Sequence, residues 1–295
     1  MFNPIIDTHI HVWDLDQARY AWLDNEGPLL KRSFNIHEIE SDRKELNITK
    51  GILVQAADNL EDTDWMLEVA CQTDWIAGVV GWLPLQDPLK TEKLLAEKYL
   101  ANKYFKGVRH LIHNETNVQW LLQETVLQSL EILAKHGIAY EIVAVQPAHI
   151  ETAIAVAKKI PSLRMVFDHL SQPPIDQKER FGRWGELMKE ASGHSNFYAK
   201  ISGLAGDNAA KRRADDIAPY VSFVVEEFGE DRVFCGSDWP VSLKAESYKE
   251  TWQCYRQLIE NLFSDTISKK IFYDNAQQFY ALRQAQGDAP LMVSG

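Results

Sequence analysis

Two histidines close to the amino terminus are spaced in a way that suits chemistry. His9 and His11 lie within residues 5–13, an apolar and β-branched stretch that is typical of a strand. Because side chains alternate between the two faces of a strand, we expect Asp7, His9 and His11 to point the same way. Two buried imidazoles side by side are costly unless a metal ion, a proton transfer or a bound anion uses them. The alternative is one hydrogen-bonded core histidine with a chance neighbour.

Further polar side chains stand where later strands are predicted to end. They are Gln55, Arg109, His169, Lys200 and Asp238. The strand pattern described below predicts a barrel of parallel strands, and an apolar barrel core would not gather such groups by chance. Enzymes with a barrel fold have their catalytic residues at the carboxyl ends of the strands. We therefore predict a site that combines these residues with His9 and His11.

Asp238 is the predicted general base. It precedes Trp239 and Pro240, so the predicted strand ends abruptly there. Cationic neighbours favour an ionised carboxylate, which can orient and deprotonate a water molecule. The alternative role for Asp238 is a turn or a helix cap. Asp168 precedes His169 and has the opposite strand parity, so we expect it to point outward and to hold structure.

Strand and helix patterns alternate along most of the chain. Apolar runs bounded by turn residues predict eight strands, at 5–13, 51–56, 76–85, 105–112, 139–145, 164–170, 197–203 and 232–240. Helical spacing follows each run, and this alternation implies right-handed crossovers and a parallel sheet. Eight such units in 295 residues predict an α/β fold closed into a single (β/α)8 TIM barrel. No GxGxxG pattern follows the first strand, which disfavours a dinucleotide-binding fold.

Two other segments complete the predicted organisation. An extra carboxyl-terminal helix is predicted over 266–282, so that the barrel domain spans 1–283 and residues 284–295 form a loose tail. The loop 13–33 is long for a connection without regular structure, and long loops often shape a binding site.

Composition limits the partners. Forty-two acidic residues against 31 basic ones give a net charge of −11, which argues against nucleic acid or an anionic membrane surface as a partner. No apolar run approaches the length of a membrane span, and the amino terminus lacks a secretion-signal pattern. The three cysteines show no zinc-binding spacing and suit reduced thiols. We expect a cytoplasmic protein with a small-molecule substrate, and a homo-oligomer is compatible with the sequence.

Several motifs carry a resemblance to a known family. Asp-Thr-His-Ile-His at 7–11, Phe-Asp-His-Leu at 167–170 and Gly-Ser-Asp-Trp-Pro at 236–240 resemble the amidohydrolase superfamily. The ordered set is most similar to its lactone hydrolases, which include fuconolactonase, rhamnonolactonase and muconolactone-type enzymes. With Lys-Gly-Val-Arg-His, Lys-Ile-Ser-Gly-Leu and Asp-Asn-Ala-Gln-Gln-Phe-Tyr added, the resemblance runs from residue 5 to residue 282.

The resemblance implies a set of metal ligands. His9, His11 and Asp238 would bind one divalent metal ion, zinc being the candidate, or descend from residues that did. His169 would lie beside the reacting carbonyl. Metal-dependent members usually add a ligand from the middle strands, but the fifth strand has no histidine, so Glu141 or His169 would have to complete the site. The lactonase branch also contains members that work without a metal, so both alternatives stay open.

The expected reaction is hydrolysis of a cyclic ester, the lactone of a sugar acid. Asp238 would take a proton from water, while His169, Arg109 and one or both of His9 and His11 would stabilise the oxyanion. The alternatives are a zinc-dependent decarboxylase of the same superfamily, which is a lyase, and a barrel without catalytic activity.

Other residues are predicted to bind the substrate. Arg109 and Lys200 could grip a substrate carboxylate, and Gln55 stands at the second strand end. Trp82 and Trp239, like other tryptophans of the chain, could stack on a sugar ring, although core packing is the commoner role.

Overall fold

A parallel sheet of eight strands forms the centre of the molecule. The computed structural model describes residues 3–176, 180–206 and 212–281. The strands are β1 (Ile5–Ile10), β2 (Ile48–Val54), β3 (Ile76–Gly81), β4 (Phe105–His110), β5 (Ala139–Ile142), β6 (Met165–Phe167), β7 (Phe197–Ile201) and β8 (Val233–Cys235). Strands that follow one another in the chain are neighbours in the sheet, and every pairing is parallel.

The last strand returns to the first. The His11 amide donates to the carbonyl of Trp239 at 2.7 Å, and the Asp238 amide donates to the carbonyl of His9 at 2.8 Å. These bonds lie just past the ends of β1 and β8 and join the two strands into a barrel. The prediction of a (β/α)8 barrel is confirmed.

Helices form the outer layer. They are α1 (Glu40–Glu45), α2 (Leu60–Gln72), α3 (Pro88–Leu94), α4 (Glu124–Lys135), α5 (Pro147–Lys159), α6 (Gly182–Ser192), α7 (Ala214–Phe228), α8 (Tyr248–Leu262), α9 (Asp265–Lys269) and α10 (Asn275–Phe279). Short 3₁₀ segments lie among them, including Ala21–Asn25, Ile112–Asn114 and Val241–Lys244. No helix in the described part of the chain has the length and apolar character needed to cross a bilayer.

Apolar side chains form a layer inside the barrel. Most are β-branched or aromatic, as suits a pleated and buried surface. The layer contains Ile6, Ile52, Val54, Val80, Val166 and Phe234. Polar side chains replace them toward the carboxyl ends of the strands, and that is the end where the site forms.

The segment that follows α8 closes the floor of the barrel. Phe279 and Tyr280 pack against the apolar layer inside the strands and are 1% and 2% exposed. The expected helix over 266–282 is divided into α9, a π-helical turn at Lys270–Asp274, and α10. Residues 282–295 lie outside the described part of the chain, so the predicted tail and the domain limits stay predictions.

Candidate active site

The carboxyl ends of the strands surround a cavity of about 440 Å³. Its lining includes His11, Arg109, His169 and Asp238, four of the residues predicted from the sequence. Such a volume is typical of a small-molecule site. All four are at least 90% buried, so a ligand would meet them only by entering the cavity.

A register shift in β1 separates the direction of Asp7 from that of the two histidines. The pairing with β2 is irregular between Asp7 and Ile10, which interrupts the alternation of side chains. Asp7 therefore does not share a face with His9 and His11, and that expectation is wrong. Its carboxylate accepts hydrogen bonds from the Ser237 amide at 2.8 Å and from the hydroxyl of Tyr248 on α8 at 3.1 Å.

Asp238 stands among three imidazoles. Its Oδ1 lies 3.3 Å from His11 Nε2, 3.6 Å from His9 Nε2 and 3.9 Å from His169 Nε2. Burial alone would raise the pKa of Asp238, but its interactions with His169 foremost, and with His11 and His9, outweigh burial and hold that pKa well below its ordinary value. The carboxylate is consequently ionised at neutral pH.

The orientation of His11 decides what can lie between it and Asp238. His11 Nδ1 lies 2.8 Å from the carbonyl of Val54, so this nitrogen must donate. Burial lowers the pKa of His11, and in the neutral ring Nε2 then carries a lone pair. That lone pair faces the carboxylate Oδ1 at 3.3 Å, and two acceptors at this separation call for a proton or a cation between them.

His9 lies below the cavity, without solvent exposure. With His11 and Asp238 it forms a group whose ligand atoms all lie within 4.8 Å of one another. Tetrahedral zinc with ligand distances of about 2.0–2.1 Å separates its ligands by roughly 3.3 Å, close to the two shorter distances here. The donor set thus fits one divalent cation. The Arg109 guanidinium, 3.3 Å from His9 Nε2, adds a positive charge that would weaken cation binding.

Asp168 faces the inside of the barrel, which corrects the expectation that it points outward. β6 ends at Phe167, and His169 has a φ of +54°, so strand parity does not continue to these residues. Asp168 accepts from Arg109 at 3.0 Å and lies 3.1 Å from Lys200 Nζ. Burial would raise its pKa, but Lys200, His9 and Arg109 outweigh burial and hold the pKa well below its usual range.

Lys200 does not contact the cavity, so the prediction that it grips a substrate carboxylate is wrong. It has no solvent exposure, and its Nζ lies 2.6 Å from Glu141 Oε2 and 3.2 Å from His9 Nδ1. Glu141 also accepts from the Tyr280 hydroxyl. Glu141, His9 and Asp168 form a second group of potential metal ligands, but the Lys200 ammonium already occupies its centre. Glu141 therefore does not complete the His9–His11–Asp238 set.

Three other predicted substrate residues lie away from the cavity wall. Gln55 is fully buried and accepts two hydrogen bonds from Arg109, one at its side chain (3.1 Å) and one at its carbonyl (2.6 Å). Trp82 donates to His110 Nδ1 at 2.9 Å. Trp239 is 2% exposed and packs edge-on against Phe34, with the ring centres 5.6 Å apart. Their predicted contacts with substrate are not supported, since all three serve packing or orientation.

The cavity also contains residues that the sequence did not single out. They are Glu26, His113, Arg212, Lys244 and Tyr255. Each lies on a loop or on an outer helix, where strand periodicity gives no signal. The loop 13–33 contributes Trp22 as well as Glu26, in agreement with the expectation that this loop shapes the site.

Known proteins resemble this chain, some of them over nearly its whole length. An L-fucono-1,5-lactonase of Burkholderia ambifaria is 27% identical over 286 residues, which cover 96% of this chain and 97% of that protein. An L-rhamnono-gamma-lactonase of Scheffersomyces stipitis is 26% identical over 209 residues, which cover 59% of this chain and 58% of that protein. The crystal structure of a Burkholderia multivorans amidohydrolase with bound zinc matches with a TM-score of 0.84 and 26% identity, over 95% of this chain and 100% of that one. The sequence model of the amidohydrolase family matches residues 6–282, and the chain therefore belongs to the amidohydrolase family.

Proposed function

We propose that this protein hydrolyses the lactone of a sugar acid. The observation that carries the proposal is the ionised Asp238 carboxylate in the cavity, with three imidazole nitrogens within 3.9 Å of its Oδ1. A carboxylate held in this way can position a water molecule against an electrophilic carbon. The similarity to two sugar-acid lactonases supports the choice of a lactone as that electrophile.

Asp238 begins the reaction as a general base. It accepts a proton from the water molecule, whose oxygen forms a bond to the lactone carbonyl carbon. Its position is fixed by the backbone, because its amide donates to the His9 carbonyl at 2.8 Å and its carbonyl accepts from the Ser242 amide at 2.9 Å. A base held by its own backbone needs little reorganisation during the reaction.

Arg109 and His169 stabilise the oxyanion that forms when water adds. Both line the cavity next to Asp238. The guanidinium is held on three sides, by the side chain and carbonyl of Gln55 and by Asp168 at 3.0 Å. His169 is oriented by a hydrogen bond of 2.9 Å between its Nδ1 and the Ser202 hydroxyl, which leaves Nε2 facing Asp238. Fixed donors of this kind are each worth about 3–4 kcal/mol of barrier in enzymes where they were removed.

Collapse of the intermediate opens the ring. The bond between the carbonyl carbon and the ring oxygen breaks, and protonated Asp238 returns its proton to that oxygen. The product is a hydroxy acid that ionises at neutral pH, so each turnover releases one proton to solution.

We further propose that His9, His11 and Asp238 bind one divalent cation, with zinc as the candidate. The facing lone pairs of His11 and Asp238 support this assignment. When bound there, the cation would polarise the carbonyl and lower the pKa of water. Loss of activity on addition of a chelator would show that the reaction requires this cation.

No observation favours the decarboxylase alternative. A lyase with a firm metal site would need a further ligand from the middle strands, and Glu141 is engaged by Lys200 and Tyr280. The non-catalytic alternative is disfavoured because an ionised carboxylate and two basic side chains line a cavity of ligand size. The cytoplasmic location, the absence of nucleic-acid and membrane partners, and a homo-oligomer stay predictions.

Acid release in weakly buffered solution tests the proposal. Wild type and Asp238→Asn are compared on five- and six-membered aldonolactones, with and without a chelator. We expect turnover above the spontaneous rate in wild type and a loss of at least about 10³-fold in the variant. Asp64→Asn, which changes an exposed carboxylate paired with Lys98, is the matched control and should keep full activity. No rate above background on any sugar lactone, or an undiminished rate in Asp238→Asn, would refute the proposal.

A further inference from the structure

The wall of the cavity contains an ion pair that the mechanism above does not use. Glu26 belongs to the loop after β1, and Lys244 ends the 3₁₀ segment Val241–Lys244 that follows β8. Lys244 Nζ lies 2.7 Å from each carboxylate oxygen of Glu26. The two side chains are only 25% and 21% exposed, and both line the cavity.

This ion pair keeps hydrogen-bonding capacity for a ligand. An ammonium group has three donors, of which Glu26 can take two, and a carboxylate has about four acceptor positions, of which Lys244 uses two. One donor and at least one acceptor are left on neighbouring atoms. Two adjacent hydroxyl groups of a sugar match that arrangement, because each hydroxyl can both donate and accept.

The other cations of the cavity are paired in the same way. Arg109 lies 3.0 Å from Asp168, and Arg212 lies 2.5 Å from Asp176. Among the lining residues within 3–176, 180–206 and 212–281, every lysine and arginine thus has a nitrogen within 3.0 Å of a carboxylate oxygen. Asp238 adds a further negative charge, so a substrate carboxylate would find no uncompensated cation among these residues.

We propose that the Glu26–Lys244 pair binds two neighbouring hydroxyl groups of the substrate and rejects lactones that carry a carboxylate. The proposal rests on the proposed function and narrows its substrate class to uncharged, polyhydroxylated lactones. Ring opening turns a neutral ligand into an anion, which the negative charge of Asp238 disfavours.

Two observations support a recognition role. Trp22 lies on the same loop as Glu26, lines the cavity and donates its indole N–H to the Ala56 carbonyl at 2.8 Å. Its ring is thereby fixed and offers an apolar surface to the carbon side of a sugar. Lys244 is separated from Asp238 by a short segment in which Ser242 N donates to Asp238 O at 2.9 Å, so the base and the hydroxyl-binding pair keep a fixed relation.

Binding of a matched pair of non-hydrolysable ligands tests the inference. The probes are the 1,5-lactam of an aldonic acid and the same lactam with its terminal CH₂OH oxidised to a carboxylate. Calorimetry on wild type should give a Kd at least about tenfold lower for the neutral lactam. In Glu26→Gln, which frees the charge of Lys244, that preference should fall by about tenfold. In Lys244→Met, neutral binding should weaken by about tenfold while the carboxylated lactam stays weak.

Controls separate this inference from the proposed function. Glu190→Gln breaks an exposed ion pair with Lys158, remote from the cavity, and should leave both Kd values unchanged. Thermal unfolding establishes that each variant is folded. Equal Kd values for the two lactams in wild type, or an unchanged preference in Glu26→Gln, would overturn the inference. Turnover of sugar lactones by the wild-type protein tests the proposed function. A protein that hydrolyses neutral and carboxylated lactones equally well would refute the inference about Glu26 and Lys244 and leave the proposed function intact.

Discussion

Lys200 and Glu141 form an ion pair of 2.6 Å inside the barrel, and neither side chain is exposed to solvent. Asp168 lies 3.1 Å from the same ammonium group, so one lysine compensates two carboxylates. Burial raises the pKa of Glu141 to about 7, against the lowering effect of Lys200. The charges below the cavity therefore depend on each other.

Removing this lysine should destabilise the protein strongly. Lys200→Met leaves the buried Glu141 carboxylate without its cation and Asp168 with Arg109 alone, and losing one partner of a buried pair costs about 3–5 kcal/mol. Urea unfolding measures the change. The double variant Lys200→Met/Glu141→Gln should recover part of the loss, because one of the stranded charges is gone. A loss below about 1 kcal/mol in the single variant would show that the ion pair is not what stabilises this region.

Gly203 should tolerate no side chain. A Cβ at this position would lie 2.6 Å from His169 Nδ1 and 3.0 Å from Asp238 Oδ2, at a φ of +58°. Gly203→Ala should therefore lower kcat by about 10²-fold or more, because it displaces the imidazole and the base. Gly137→Ala is the matched control, since its φ is +67° and, beyond its chain neighbours, no described atom lies within 4 Å of the place that a Cβ would take. Both variants place an alanine at a positive φ and so have a similar backbone strain. Equal kcat values in the two variants would therefore contradict the steric argument.

Arg109 should not be replaceable by lysine. Its guanidinium spans Gln55 and Asp168, and the fork geometry cannot be reproduced by a single ammonium group. Steady-state kinetics of Arg109→Lys should show kcat reduced by about 10–10²-fold, with a smaller change in KM if the contact is strongest in the transition state. Arg183→Lys on the surface is the control. A change confined to KM would instead assign Arg109 to ground-state binding.

Asp62 should make the fold less stable as pH rises. This buried carboxyl group on α2 accepts from the amides of Ala56 (2.8 Å) and Ala57 (3.1 Å), and burial raises its pKa to about 7. The unfolded chain loses this proton near pH 3.8, so between about pH 4 and pH 7 the native state holds the extra proton. Stability from this group is therefore present below pH 4 and is lost as pH rises through 7, by on the order of 4 kcal/mol.

Denaturant unfolding at pH 5 and pH 8 checks the sign. Asp62→Asn removes the titrating group while keeping an acceptor oxygen. The free energy of unfolding of the variant minus that of wild type should therefore be larger at pH 8 than at pH 5. Asp64→Asn, an exposed position on the same helix, should leave the pH dependence unchanged. An identical pH slope in wild type and Asp62→Asn would show that Asp62 does not titrate in this range.

The barrel could be predicted because its signals are local and repeated. Apolar runs, helical spacing and turn residues alternate eight times, and an error of a few residues at one boundary does not change the count. The same local reasoning placed His11, Arg109, His169 and Asp238 at one end of the barrel, where the structure has them.

The direction of single side chains was less predictable. The parity rule misplaced Asp7 because β1 has a register shift, and it misplaced Asp168 because β6 is only three residues long. Lys200 stands at a strand end, as predicted, but its distance from the cavity depends on Glu141 and Asp168, which come from other strands. Contacts between distant parts of a chain leave no pattern in one sequence.

Loop residues were the least accessible to sequence reasoning. Glu26 and Lys244 are 218 positions apart, and nothing in either segment indicates that they meet. Only the three-dimensional closure of β8 onto β1 brings their loops together. The features that choose a substrate are therefore harder to predict than those that perform the reaction.

The contact of Tyr280 with Glu141 has a consequence for biosynthesis. Tyr280 follows all eight strands in the chain, yet its hydroxyl lies against a carboxylate in the middle of the barrel. A nascent chain that has completed its sheet would still lack the aromatic floor and this hydroxyl. Until the last helices are synthesised, the Glu141 carboxylate would therefore have the Lys200 ammonium but lack its second donor, the Tyr280 hydroxyl.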